Sequence, residues 1–123
     1  MTKPFKIRER IRSFDYAFRG IKFLIKSQHN ARIHLLATIL AILLGYYLRI
    51  KQAEWIFITI AIILVWITEA INTSLELLAN LVSKEHDDLI GRAKDVAAGA
   101  VLISAIGSVI IGILVFIPYL ITL

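Results

Sequence analysis

The stretch "WIFITIAIILVWITEAINTSLELLAN", from Trp55 to Asn80, starts as an almost wholly apolar run and ends in polar residues, without a proline or a glycine. If the stretch is helical throughout, the polar residues at i, i+3, i+4 and i+7 share one face: Glu69, Asn72, Thr73 and Glu76. Carboxylates are costly inside a bilayer and commonly mark functional sites there. The stretch predicts a membrane helix with a site at one end.

The composition is that of an integral membrane protein. Of 123 residues, 59% are hydrophobic and 19% are charged, and the mean hydropathy is +0.78. A soluble domain has about 45–50% apolar residues, so the excess must face lipid. The sequence has no cysteine, which excludes disulfides and thiolate metal sites. We expect no cleaved signal peptide, because a long basic segment precedes the first apolar run. We also expect no nucleic-acid partner.

The apolar runs predict an all-α membrane protein with one domain, residues 1–123. A helical span needs roughly 17–25 residues, and three runs are long enough once flanking residues are included. We expect transmembrane helices over about 31–49, 54–82 and 94–122, preceded by a surface helix over 1–29.

The distribution of basic residues predicts the orientation. Of the fourteen lysines and arginines, nine precede the first span, two lie between the first and second spans, and three lie between the second and third. The positive-inside rule places the amino terminus and the second connection in the cytoplasm, and the carboxyl terminus outside.

The amino-terminal segment has the pattern of an amphipathic helix. Its apolar residues recur at alternating spacings of four and three: Ile7, Ile11, Phe14, Phe18, Ile21 and Ile25. Arginines and lysines flank this stripe. Such a helix lies in the membrane interface with its cations against anionic head groups. A helix that serves only as an anchor remains an equal alternative.

Small residues repeat every fourth position in the first and third spans. The two sets are Ala37, Ala41 and Gly45, and Ala100, Ser104, Ser108 and Gly112. Close backbone approach drives helix association in lipid, so both stripes predict packing seams. We assign the two serines to packing and not to chemistry.

The depth of the carboxylates in the bilayer separates their expected roles. With Trp55 at the outer boundary, a rise of roughly 1.5 Å per residue puts Glu69 about 21 Å and Glu76 about 31 Å along the helix. The hydrocarbon core is about 30 Å thick. Glu76 therefore reaches the surface, where it suits a hard cation such as Mg²⁺, and buried Glu69 suits a general base.

The connection "SKEHDDLIGRAKD", residues 83–95, adds a cluster of charges. We expect the third membrane helix to start at Lys94 and Asp95, so that its free N–H groups form an anion site beside the lysine. This arrangement suggests phosphate handling, and a solvated loop with ordinary charge pairs is an equal alternative. No Walker or dinucleotide motif is present. His29 and His34 are expected to be interfacial polar residues.

Two long motifs carry a resemblance to a known family. "EAINTSLE" (Glu69–Glu76) and "GRAKDVAAGAVLI" (Gly91–Ile103) resemble the small prokaryotic diacylglycerol kinases, which include the undecaprenol kinases. "YAFRGIKFL" (Tyr16–Leu24), "NARIH" (Asn30–His34) and the three-span layout extend the resemblance over nearly the whole chain.

The resemblance implies a homotrimer in the bacterial inner membrane with active sites between subunits. It implies transfer of the γ-phosphate of MgATP to the hydroxyl of a membrane lipid, either diacylglycerol or undecaprenol. The cofactor it implies is Mg²⁺, with ATP as the phosphate donor.

By position, the resemblance also implies residue roles. Glu69 is similar to the catalytic base, and Asn72 and Glu69 to the acceptor-binding residues. The implied magnesium positions are Glu76 and Gln28, where Gln28 replaces a carboxylate of the family. Asn80 stands where an aspartate is common. The implied nucleotide contacts are Tyr16, Glu76, Glu85, His86, Asp87, Lys94 and Asp95.

Two alternatives belong to other functional classes. A proton- or ion-conducting protein could use Glu69 as a relay, but between Trp55 and Ile67 only Thr59 offers a further polar side chain. A catalytically weak or inactive assembly protein could use the small-residue seams, and it leaves the charged connection unexplained.

Overall fold

The computed structural model describes residues 2–83 and 87–123, and these residues form helices and no strands. The helices are α1 (Ile7–Ser27), α2 (His29–Leu48), α3 (Gln52–Val82) and α4 (Asp88–Leu120). Helices α2, α3 and α4 are long and apolar enough to cross a membrane. The prediction of an all-α chain with three such helices is confirmed.

The main difference from the expected boundaries is the start of α4, which begins at Asp88 and not at 94. The carboxylate of Asp87 accepts hydrogen bonds from the backbone N–H groups of Leu89 (2.9 Å) and Ile90 (3.3 Å), an N-cap arrangement. Lys94 and Asp95 lie in the second turn, beyond the free amides of the first. The predicted anion site at a helix end beside Lys94 is therefore wrong.

Helices α1 and α2 meet at a single extended residue, Gln28, with φ −111° and ψ 121°. The guanidinium of Arg32 reaches back and donates hydrogen bonds to the carbonyls of Ile25 (3.2 Å) and Lys26. These carbonyls belong to the last turn of α1, where helical partners are missing. The side chain thus stabilises a sharp turn that places α2 beside the end of α1.

The stripe of α1 is uncovered in the single chain. Its apolar residues are exposed from Ile7 to Ile21, while Leu24 is buried near the turn. The helix expected over 1–29 is observed as the shorter helix Ile7–Ser27.

The most extensive packing joins α3 and α4. The hydroxyls of Thr68 and Ser104 are 2.8 Å apart, and the Ser108 hydroxyl donates to the Ala61 carbonyl at 3.1 Å. Small side chains allow this close approach between the two backbones. The assignment of Ser104 and Ser108 to a packing seam is confirmed.

The start of α3 and the end of α4 pack together in an apolar core, to which the end of α2 also contributes. The cluster is Leu48, Ile50, Ile58, Val115 and Phe116. Gly45 of α2 packs against the indole of Trp55, and a Cβ at this glycine would lie 2.6 Å from the ring. The core fixes the three long helices at the end opposite the polar part of α3.

Candidate functional site

The polar face of α3 is turned toward the protein. Glu69 is only 1% exposed, Asn72 and Thr73 are buried, and Glu76 is half-buried. The prediction that these side chains share one face is confirmed. Burial by the protein decreases from Glu69 to Glu76, toward the polar end of the helix.

Glu69 faces a histidine of α2. Its Oε2 atom lies 3.4 Å from Nε2 of His34, whose side chain is 15% exposed. Both atoms are buried, and neither has a well-aligned hydrogen bond within the described part of the chain. The two side chains therefore face each other without a hydrogen bond between them.

Two further buried polar atoms lack partners in the same region. They are Oδ1 of Asn72 and the hydroxyl oxygen of Thr73. An unsatisfied buried polar group costs about 1–3 kcal/mol, so native proteins rarely retain one without a reason. Four unpartnered atoms, one of them on the Glu69 carboxylate itself, mark this region as the candidate site.

A cleft of about 520 Å³ runs between α3 and α4 beside this site. Its walls are mainly apolar, and Thr68 and Asn72 contribute polar groups from α3. Arg92 lies at the polar end of the cleft, while Ala100 lines it further along α4. The cleft can hold an apolar chain whose polar end lies near Asn72.

The side chain of Lys94 is hydrogen-bonded to a residue of α3. Its Nζ donates a hydrogen bond to Oδ1 of Asn80 at 2.6 Å, and the lysine side chain is half-buried. Asp95 is exposed on the next position of α4. Asn80 therefore orients the cation, which is a different task from binding a metal.

The other candidate residues are dispersed. Tyr16 is exposed on α1, with the Arg19 guanidinium 5.8 Å from its ring centre. Gln28 is half-buried between α1 and α2, and Asp87 caps α4. The predicted nucleotide contacts at residues 85 and 86 lie outside the described residues.

No three carboxylates or histidines in residues 2–83 and 87–123 converge as ligands for a metal. The carboxylate of Glu76 stands two turns from Glu69 on the same face. One protein carboxylate is nevertheless compatible with Mg²⁺, which is commonly held by one or two carboxylates together with substrate phosphates.

Comparison with known proteins identifies the family. The family model described as prokaryotic diacylglycerol kinase matches residues 15–116. The chain belongs to this family. It is a lipid kinase with three apolar helices suited to a membrane.

Three relatives illustrate the similarity. Undecaprenol kinase of Bacillus subtilis is 35% identical over 109 residues, which cover 89% of each chain. Diacylglycerol kinase of Synechocystis is 36% identical over 112 residues, covering 90% of this chain and 64% of the relative. Diacylglycerol kinase of Escherichia coli K12 is 28% identical over 100 residues, covering 81% of this chain and 82% of the relative.

Sequence reasoning missed one residue of the site. The sequence predicted only an interfacial polar residue at position 34, and the structure places the His34 side chain against Glu69. A signal was present, because His34 and Thr38 are one helical turn apart and interrupt an otherwise apolar segment of α2. The sequence pattern did not indicate which helix His34 and Thr38 face.

Proposed function

We propose that the protein transfers the γ-phosphate of MgATP to the hydroxyl of a membrane lipid alcohol, undecaprenol or diacylglycerol. The products are ADP and either undecaprenyl phosphate or phosphatidic acid. The observation that carries this proposal is the buried carboxylate of Glu69, surrounded by unpartnered polar atoms and adjacent to an apolar cleft.

Glu69 acts as the general base. As the lipid oxygen bonds to the γ-phosphorus, its proton passes to the Glu69 carboxylate, and the bond from phosphorus to the bridging oxygen of ADP breaks. Help of this kind contributes roughly 10²–10⁴-fold to a rate. Burial supports the role, because a carboxylate shielded from water meets the lipid hydroxyl without competing solvent.

The acceptor enters along the cleft between α3 and α4. The apolar walls suit its hydrocarbon chain, and Asn72, one turn from Glu69, is placed to orient the hydroxyl. The Asn72 carbonyl oxygen has no hydrogen-bond partner in the described chain. Because the single proton of the acceptor hydroxyl passes to Glu69, Asn72 would orient that hydroxyl by donating its amide N–H to the hydroxyl oxygen.

The nucleotide binds at the polar end of the site. Lys94 neutralises phosphate charge, and phosphoryl transfer depends largely on such positioning and electrostatics. The other proposed contacts are Tyr16, Glu76, Glu85, His86, Asp87 and Asp95. Bound Mg²⁺ would supply charge neutralisation on the phosphates. Glu76 would hold it, with Gln28 as a neutral oxygen donor.

We further propose that the enzyme is a homotrimer in the bacterial inner membrane. The amino terminus is cytoplasmic and the carboxyl terminus is outside, as the basic residues favour. α1 then lies on the inner surface of the bilayer. The unpartnered atoms at Glu69 and Asn72 and the dispersed nucleotide-contact candidates support sites that are completed by a second subunit.

The test uses the purified full chain in mixed micelles with ATP labelled on the γ-phosphate and with magnesium. Diacylglycerol and undecaprenol are offered separately and then in competition. Label should pass to extractable lipid, and the competition identifies the preferred acceptor. Absence of a labelled lipid with both acceptors would overturn the proposal.

A further inference from the structure

The imidazole of His34 is placed to act on the general base and has no task in the reaction described above. It projects from α2 toward α3, and its Nε2 lies 3.4 Å from Oε2 of Glu69. Neither of these buried atoms has a hydrogen-bond partner in residues 2–83 and 87–123, and the two face each other just beyond hydrogen-bond geometry. Each is therefore the most direct partner available to the other.

We propose that His34 is a positioning residue for Glu69: its Nε2–H donates to Oε2 and so directs the other carboxylate oxygen, Oε1, toward the acceptor hydroxyl. This inference rests on the proposed function, because it assumes that Glu69 takes the proton of the lipid alcohol. His34 itself gains and loses no proton in the reaction.

The surroundings of His34 hold the imidazole in place. The ring of Trp66 packs edge-on against it, with ring centres 6.5 Å apart and planes at 69°. The indole N–H donates to the Thr38 hydroxyl at 3.0 Å, and that hydroxyl donates to the His34 carbonyl at 2.7 Å. Trp66 is fixed by the same helical turn that carries His34.

Through this arrangement, a residue of α2 would hold the Glu69 side chain of α3 in position. A glutamate side chain has three rotatable bonds, and ordering it costs free energy. Catalytic groups need to be held within about 0.5 Å of their productive geometry by neighbours that are themselves locked. The Thr38–Trp66–His34 group supplies that support, and the remainder of the described polar face of α3 supplies none to Oε2.

A purely structural role for His34 makes different predictions. An ordinary buried histidine would affect folding and leave kcat per folded molecule unchanged. A proton relay would be lost in every variant without a titratable ring. A positioning donor would be restored by glutamine, whose amide nitrogen can occupy the place of Nε2 and donate without titrating.

The experiment compares His34→Leu and His34→Gln with the native chain in the lipid phosphorylation assay. The first should lower kcat about 100-fold, as expected when a reacting group is misplaced by about 1 Å, with KM for ATP and lipid within about threefold. The second should keep kcat within about fivefold of the native chain, because the donor is restored.

Ser108→Ala provides the matched control. It removes another hydrogen bond that joins α3 to a neighbouring helix, donated to the Ala61 carbonyl at 3.1 Å, and it should keep the native kcat. The unfolding midpoint of each variant in detergent separates lost folding from lost chemistry.

A double-mutant cycle with Glu69→Gln completes the test. If His34 acts through Glu69, His34→Leu should lower the residual rate no further once the base is absent. Full kcat in His34→Leu, failure of His34→Gln to recover activity, or multiplicative losses in the cycle would each overturn the positioning role. An inactive native chain would instead overturn the proposed function.

Discussion

Lys94 Nζ lies 2.6 Å from Oδ1 of Asn80, so that a cation on α4 is bonded to an amide near the end of α3. An aspartate at position 80 would form an ion pair here. The amide is a neutral acceptor, so this bond fixes the lysine without neutralising its positive charge. This is the charge that we propose to contact the phosphates of ATP.

Asn80→Ala should raise the KM for ATP. Loss of the acceptor frees the lysine side chain, and an exposed hydrogen bond to a charged group is worth about 1 kcal/mol, or roughly fivefold in affinity. kcat at saturating ATP should change little. The measurement is initial rate against ATP concentration at saturating lipid.

Asn80→Asp is the matched control, because it keeps an acceptor at the same position. Its unfolding midpoint should be at least that of the native chain. An unchanged KM for ATP in Asn80→Ala would show that the bond does not organise the nucleotide site.

The cap on α4 yields a second prediction. The Asp87 carboxylate accepts from the N–H groups of Leu89 and Ile90, and removal of such a cap costs about 0.5–2 kcal/mol. Asp87→Ala should therefore reduce stability, measured as the free energy of unfolding in mixed micelles. Asp87→Asn should restore it, because asparagine is an equally good cap.

The same pair of variants separates capping from nucleotide binding at Asp87. If the charge contacts ATP, Asp87→Asn will recover stability and retain a raised KM. Equal stability of the alanine, asparagine and native chains would contradict the capping role.

The cleft between α3 and α4 yields a third prediction, on the acceptor. Ala100 lines this cleft, and Ala100→Leu adds three carbon atoms to its wall. The KM for the lipid acceptor should rise roughly tenfold, since even one methylene in an apolar pocket is worth 10-fold or more. The KM for ATP should remain that of the native enzyme. Both constants come from initial rates in micelles of varied lipid content.

Ala98→Leu tests whether added volume on α4 is enough to produce that effect. Ala98 is exposed and lies outside the lining of the cleft. The control should keep the native KM for lipid. An equal rise in both variants would exclude this cleft as the acceptor path.

Much of the fold could be predicted because lipid restricts the possibilities. Long apolar runs in a bilayer must be helices that satisfy their own backbone groups, which predicted α2, α3 and α4. The polar face of α3 followed from helical spacing alone, and the burial of Glu69 together with the partial exposure of Glu76 agrees with it.

The start of α4 could not be read from hydropathy. Its first two turns, "DLIGRAK", contain three charged residues, so the uninterrupted apolar run begins later than the helix. The decisive signal was local, namely an aspartate ahead of a helix-forming segment. Reading that cap would have corrected both the boundary and the anion site expected at Lys94.

The partner of Glu69 could not be predicted because it depends on tertiary contact. His34 and Glu69 are far apart in sequence, and nothing in their spacing indicates that α2 and α3 present them to each other. A polar residue on an apolar span predicts only that it has some partner. The structure identifies the residue that faces Glu69 as His34.

The most direct test of the central claim is the rate of lipid phosphorylation by Glu69→Gln, measured beside its affinity for ATP. We expect a rate loss of roughly 10²–10⁴-fold with ATP binding unchanged, because the amide keeps the shape of the side chain and cannot accept the proton. Glu76→Gln is the contrasting variant and should weaken binding of ATP with magnesium. A Glu69→Gln chain that phosphorylates lipid at the native rate would contradict the account.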